Sequence, residues 1–144
     1  LAMLYDHQER YETAESLCTD ALEMNRELLG DKHPDVATSL NNLALIYDHQ
    51  GRYEVAEPLY IESLEVSREV LGEKHPDVAL ILWNFGILRC KQKQFEAARS
   101  VLMEALPIYK ATLGDKHPQT KKLATWLTAV QVRIFVQKCR QFGR

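Results

Sequence analysis

The sequence lacks the features that mark several large classes of protein. No apolar run approaches the roughly 18 residues that a membrane-spanning helix requires. The three cysteines, Cys18, Cys90 and Cys139, lie far apart, and none belongs to a CxxC pair. An odd number of cysteines without metal-ligand spacing favours a reducing compartment. We therefore expect a cytoplasmic protein that does not engage a membrane.

Motifs of catalysis are missing as well. The sequence contains no phosphate-binding loop, no nucleophile elbow and no HExxH motif. His33, His75 and His117 each precede a proline at a predicted helix start, which favours capping over metal coordination. His7 and His49 have no cysteine at ligand spacing. We therefore predict that the protein is not an enzyme and that it binds neither a metal nor a cofactor.

Glycine and proline are scarce, but they are concentrated in one repeated segment. The six-residue pattern Leu-Gly-x-Lys-His-Pro occurs at Leu29–Pro34, Leu71–Pro76 and Leu113–Pro118, always 42 residues apart. A fixed period of this size is typical of proteins built from stacked repeats. Glycine ends a helix at low steric cost, and proline suits the first helical position. The repeated segment therefore predicts a boundary between helices.

Between these boundaries, apolar residues recur at spacings of three and four, which predicts amphipathic helices in hairpins. One helix is expected to end near residue 8 and to be followed by a short turn. The further predicted helices cover about 11–29, 34–49, 53–71, 76–92, 95–113 and 118–140, which gives seven in all. The repeat units are about 1–33, 34–75 and 76–117, with a terminal helix at 118–141. Because the first unit is incomplete, we interpret residues 1–144 as a fragment of a longer array.

The residues of the second unit resemble a known family. Large, small and aromatic residues stand at the spacing of the tetratricopeptide repeat signature: Leu40, Leu43, Ala44, Tyr47, Ala56, Tyr60 and Ser63. The 42-residue period and the Leu-Gly-x-x-His-Pro segment are similar to the repeats of kinesin light chain and nephrocystin-3. This resemblance covers about residues 1–127 and implies an all-α fold. The expected fold is a right-handed superhelix (an α solenoid) of antiparallel helix hairpins, about three and a half repeats long.

The resemblance also implies a function. Such repeats serve as protein-interaction scaffolds that hold a peptide segment of a partner in a concave groove lined by the first helix of each unit. Carried over by position, the groove residues of this chain are Met3, Asp6, His7, Thr38, Asn41, Asn42, Leu45, Asp48, His49, Leu80, Trp83, Asn84, Ile87, Cys90, Lys91, Lys122, Thr125 and Arg133.

Three of these residues have the most specific predicted roles. Asn42 and Asn84 can bond both the C=O and the N–H of an extended peptide, because an amide both donates and accepts. Their alternative role is to bond neighbouring helices and fix the stacking. Trp83 is the preferred anchor, since tryptophan is enriched among residues that dominate binding energy. Its alternative role is packing between adjacent first helices.

Charge suggests the nature of the ligand. Residues 1–72 carry 15 acidic and 5 basic side chains, whereas residues 73–144 carry 5 acidic and 13 basic ones. Lys91, Lys122 and Arg133 could therefore pair with acidic residues of a peptide, unless they are simply solvated. Nucleic acid is an unlikely ligand, because aromatic residues among the basic ones are limited to Trp126 and Phe135.

The last predicted helix supplies an alternative function. It carries a second apolar stripe of Val132, Phe135, Val136 and Cys139, which has nothing in this chain to pack against. Either a following helix or another molecule would cover it, since the ends of such arrays normally carry a polar face. The alternative is thus a structural, self-assembling module that forms a homo-oligomer through its terminal helix.

Overall fold

The structure is a computed structural model that describes the backbone of residues 2–143 and the side chains of residues 7–143. The predicted groove residues Met3 and Asp6 lie outside the described side chains. Across the described backbone the secondary structure is entirely helical. The helices are α1 (Ala2–Leu29), α2 (Pro34–His49), α3 (Tyr53–Leu71), α4 (Pro76–Lys91), α5 (Phe95–Thr112) and α6 (Pro118–Phe142).

The repeated segment forms the same helix boundary three times. The backbone N–H two residues after His33, His75 and His117 donates to Nδ1 of that histidine, at 3.1, 3.1 and 3.2 Å. Each histidine is thus the N-cap of the helix that begins at the following proline. The glycine of each segment has a φ of 84–91°, which a residue with a side chain rarely adopts. These contacts confirm the interpretation of the three histidines as helix caps.

The turn predicted near residue 9 is wrong. α1 runs without interruption from Ala2 to Leu29, so the described chain has six helices rather than seven. At the equivalent positions of the next two units, Gly51 has φ 76° and Lys93 has φ 60°, and there the chain turns. Glu9 occupies this position in the first unit. The left-handed conformation costs a non-glycine residue about 1–2 kcal/mol. α1 stays helical through this position and avoids that cost.

The last helix also passes through the position of a turn. Residues 134–136 correspond to Gln92–Gln94, where α4 gives way to α5, yet α6 continues to Phe142. Ile134, Phe135 and Val136 stand there, and none of them is a residue that interrupts a helix. The prediction of one long terminal helix is therefore confirmed.

The chain divides into two compact units, of which the first is 1–73. In unit 1, α2 packs against both α1 and α3. Leu22 of α1 meets Val36, Leu40 and Leu43 of α2 in a buried cluster. Tyr60 of α3 is fully buried. Unit 1 is therefore a three-helix arrangement with α2 in the middle.

Unit 2 comprises residues 74–144, and here α5 packs against both α4 and α6. α4 and α5 approach closely at Gly86, where an added Cβ would lie 2.6 Å from Cδ2 of Leu102. α6 contributes a buried row of Leu123, Leu127, Val130 and Ile134, which is the inner stripe that the sequence predicts. The opposite face of α6 is therefore turned to solvent.

Candidate functional site

In unit 1 the predicted groove residues divide into buried and exposed ones. Asn41 and Asp48 are buried, whereas Asn42 and His49 are exposed. Burial, and then the charge of Asp48, raise the pKa of the Tyr60 hydroxyl. Asp48 therefore has a partner within its own unit. Of the other predicted positions, Leu45 is half-buried and Thr38 and His7 are exposed.

In unit 2 the preferred anchor is buried. Only 8% of Trp83 is exposed, and its ring packs edge-on against Tyr109 with 5.8 Å between the centroids. Its indole N–H has no hydrogen-bond acceptor among the described residues. In this conformation Trp83 offers little area to a ligand. Its ring contact is with α5, a second helix, whereas the predicted alternative was packing between adjacent first helices.

The remaining predicted residues of unit 2 are more accessible. Asn84, Ile87 and Cys90 are half-buried, and the rest of the set is exposed. The exposed positions are Leu80, Lys91, Lys122, Thr125 and Arg133.

Several of these residues meet in a cleft of about 410 Å³ within unit 2, between α4, the start of α5 and α6. It contains four of the predicted groove residues, Ile87, Cys90, Lys91 and Arg133. Its other lining residues are Lys93, Phe95, Trp126, Ala129 and Val130. The lining is mainly apolar and carries three cations, so the cleft can hold an apolar group with an anion beside it. We call it the α4–α6 cleft.

Nearby carboxylates do not neutralise all three cations of the α4–α6 cleft. Glu96 lies nearby in sequence, but its carboxylate pairs with Arg99 at 2.9 Å and with Lys138 at 3.4 Å. Within the described side chains, Lys93 and Arg133 have no ion-pair partner. An anionic group of a ligand could therefore pair with at least two cations without breaking an existing ion pair of the protein.

Sequence reasoning did not place Trp126 in the groove, although a signal was present. Trp126 stands at the same position of the 42-residue period as Asn42 and Asn84, both of which were assigned to the groove. Lys93 and Phe95 were missed for a different reason. They belong to the turn and to the second helix, whereas the prediction considered first helices only.

A second cleft, of about 620 Å³, lies in unit 1. Polar residues make up most of its lining, which includes the predicted residues His7 and His49 together with Glu15 and Arg52. The Tyr47 hydroxyl donates to Glu15 at 2.9 Å, and Arg52 lies 3.4 Å from the same carboxylate and over the Tyr47 ring. Burial first, and then the bond to Glu15, raise the pKa of Tyr47. Arg52, a cation of this cleft, is already paired with Glu15, so for an anionic ligand the α4–α6 cleft is the better candidate.

The buried Tyr109 gives unit 2 a measurable response to alkali. Burial, and then the charge of Asp77, raise its pKa to about 12, against about 10 in an unfolded chain. Above about pH 10 the unfolded state loses this proton and the folded state keeps it, so stability falls as pH rises. Up to about pH 12 the loss attributable to Tyr109 is about 2–3 kcal/mol. Urea unfolding at a series of alkaline pH values should show a shallower loss in Tyr109→Phe; equal slopes in the two proteins would contradict the assignment.

With the fold and the cleft described, comparison with known proteins is informative. A model of the tetratricopeptide repeat matches residues 1–63 and again residues 44–111. The chain belongs to the tetratricopeptide repeat family. Its all-α architecture of about three and a half repeats confirms the predicted fold class. None of the helices in the described region is long and apolar enough to cross a membrane.

Solved structures of kinesin light chain-like repeat proteins are similar to this tetratricopeptide repeat chain. One is BtubC (BKLC) from P. vanneervenii, with a TM-score of 0.80 and 30% identity, covering 93% of this chain and 54% of that one. Another is a putative kinesin light chain with nearly identical TPR-like repeats from Podosopora anserina. Two structures of it have TM-scores of 0.80 and 0.81 and 21% identity, covering 96% of this chain and 66% of theirs. No curated protein matches the sequence.

These comparisons support the kinesin light chain-like type of repeat that the sequence predicts. At 21% identity the second protein is evidence for the fold alone. The chain spans about half to two thirds of the length of the structures it matches. Membership of the family indicates a protein-interaction scaffold as the general function.

Proposed function

We propose that this chain is a non-enzymatic, cytoplasmic scaffold module that binds a peptide segment of a partner protein, and that the α4–α6 cleft holds the segment's main side chain. The observation that carries the proposal is the composition of this cleft. Trp126 and Ile87 present apolar surface, and Lys93 and Arg133 lie beside it without ion-pair partners among the described residues. A cleft of this kind suits a peptide with a large apolar side chain next to an acidic residue.

The two kinds of contact contribute differently to binding. Burying an apolar side chain removes its surface from water, and this is the main source of affinity. An exposed ion pair contributes about 1 kcal/mol or less, because both partners are well hydrated when apart. Complementary charge mainly speeds association and rejects wrong ligands. The apolar contact with Trp126 therefore supplies affinity, whereas Lys91, Lys93 and Arg133 select an acidic peptide.

The other predicted groove positions are part of the proposal within their own units. Asn42 in unit 1 and Asn84 in unit 2 are assigned to the main chain of a peptide, because an amide group can donate and accept at once. Asn41, Asp48 and Trp83 are buried and are not assigned a direct contact. The further contact positions are Leu45 and His49 in unit 1 and Leu80 and Lys122 in unit 2.

Binding of apolar–acidic peptides to the intact chain tests this function. Peptides with one aromatic or aliphatic residue flanked by aspartates are titrated, and Trp126 fluorescence is read in a Trp83→Phe background. With the tightest peptide, Trp126→Ala should weaken binding by about 2 kcal/mol, which is about 30-fold. Calorimetry measures this loss for the non-fluorescent variant.

Matched controls separate the cleft from general charge. Arg133→Ala should weaken binding and reduce its dependence on salt, whereas Lys116→Ala, an exposed cation outside the cleft, should change neither. Unchanged affinity in both Trp126→Ala and Arg133→Ala would show that the cleft is not the site.

Self-assembly is a second candidate function, and one observation favours it. The stripe of Val132, Phe135, Val136 and Cys139 is exposed, with the first three side chains 39–68% accessible. Phe142 is exposed one turn further on. An apolar strip of this length on one helix face is more typical of an interface than of a solvated surface.

A further inference from the structure

We infer that the exposed stripe of α6 docks against the outer face of α1 in a second copy of this chain, so that copies associate head to tail. This inference rests on the second candidate function, self-assembly, and names the surface that receives the stripe. Two observations carry it: α1 exposes an apolar row of its own, and the charges beside the two rows are opposite.

The donor face lies on α6. Its apolar residues stand at 132, 135, 136 and 139, a spacing that places them on one side of a helix. The buried residues Leu127, Val130 and Ile134 occupy the other side, which faces α5. Packing within unit 2 therefore leaves the stripe uncovered.

The acceptor face lies on α1. Leu17, Met24 and Leu28 follow each other at intervals of seven and four residues and are 58–74% exposed. Ala21, between them, is also exposed. Leu22 on the opposite side is buried in the cluster with α2. α1 thus has an inner face for unit 1 and a second apolar face with no partner in the described structure.

Charge decides which of these faces meet. Asp20, Glu23 and Glu27 are exposed along the apolar row of α1, and none has an ion pair within the described side chains. Arg133 and Arg140 are exposed beside the α6 stripe, also without an ion-pair partner there. Two α6 helices would bring like charges together, and so would two α1 helices. An α6–α1 contact brings opposite charges together and is favoured.

Such a contact has a distinctive consequence for assembly. The two surfaces that meet are different, so each bound copy still carries one unused α1 face and one unused α6 face. Further copies then add to the free faces until the assembly closes into a ring or stops growing. The average mass in solution should therefore rise steadily with protein concentration.

Sedimentation velocity of the intact chain, in reducing buffer because Cys139 is exposed, tests the contact. One variant alters the acceptor face, Leu17→Gln with Met24→Gln, and another alters the donor face, Phe135→Gln with Val136→Gln. Each variant alone should remain monomeric at concentrations where the unaltered chain associates. An equimolar mixture of the two should form a dimer, because one intact α1 face and one intact α6 face remain.

A control variant tests whether loss of any exposed apolar residue would have the same effect. Met103→Gln removes an exposed apolar residue of α5 and should leave association unchanged, and circular dichroism should show full helicity in every variant. If only the α6 variant loses association and the α1 variant associates as strongly as the unaltered chain, then α6 pairs with itself; self-assembly survives and the head-to-tail contact is wrong. A chain that is monomeric at every concentration would overturn both and favour a different protein as the occupant.

Discussion

Replacement of Tyr60 by alanine is expected to lower the free energy of unfolding by about 3–5 kcal/mol, the range for removing a buried aromatic ring. Tyr60 is fully buried in α3, and the charge of Asp48 of α2 acts on its hydroxyl, so the substitution removes packing and a polar interaction together. At about 0.05–0.15 kcal/mol per residue, a unit of this size has a total stability of only about 4–11 kcal/mol. We therefore expect Tyr60→Ala to remove a large fraction of the stability of unit 1 and to unfold at a markedly lower urea concentration. Urea unfolding followed by circular dichroism measures the change.

A matched variant separates the ring from the hydroxyl. Tyr60→Phe keeps the ring and removes only the hydroxyl that interacts with the buried Asp48, which predicts a smaller loss of about 1–3 kcal/mol. Asp48→Asn should cost a similar amount, and the double variant should cost less than the sum of the two. If Tyr60→Phe cost as much as Tyr60→Ala, the polar interaction rather than the packing would hold α3 to α2.

The helix boundaries were predictable because local chemistry determines them. Each Leu-Gly-x-Lys-His-Pro segment contains a glycine for the left-handed position, a histidine that caps the next helix and a proline at its first turn. These contacts form within a few residues and depend little on the rest of the fold. The 42-residue period then places these boundaries along the chain, and the family resemblance indicates how the helices pair.

The turn of the first unit was not predictable from the period alone. Repetition implied that residue 9 would behave like Gly51 and Lys93, but its residue type and its packing context differ from both. Lys93 adopts the left-handed conformation between α4 and α5, which pack on each other, whereas Glu9 lies within α1 and remains helical. Aligning the sequence by its period shows which residues occupy equivalent positions. It does not show whether the packing around a position stabilises a strained turn there.

The same limit applies to the candidate site. Alignment places Asn41, Asp48 and Trp83 on first helices, but it does not say how deeply each side chain is buried. Depth depends on the helix packed alongside, which for Asp48 supplies Tyr60 and for Trp83 supplies Tyr109. The α4–α6 cleft is a feature of three helices together, so a prediction made one helix at a time found only part of its lining.

Replacement of Trp83 by alanine separates the two roles that the sequence left open for this residue. Because only 8% of the side chain is exposed and its ring packs against Tyr109, we expect a loss of about 3–5 kcal/mol in the free energy of unfolding. Trp83→Phe should cost much less. It keeps an aromatic contact with Tyr109 and removes an indole N–H that has no acceptor among the described residues.

Trp126 provides the control for this experiment, since it lies in the α4–α6 cleft and is 37% exposed. Trp126→Ala should change stability little and peptide affinity strongly, because it removes area that the folded protein leaves accessible. Trp83→Ala should do the reverse: peptide affinity should be near normal wherever the variant remains folded.

If Trp83→Ala instead unfolds at the same urea concentration as the unaltered chain and loses the peptide, Trp83 is the anchor. The indole must then leave Tyr109 when the ligand binds, and the energy of that rearrangement would have to come from the binding itself.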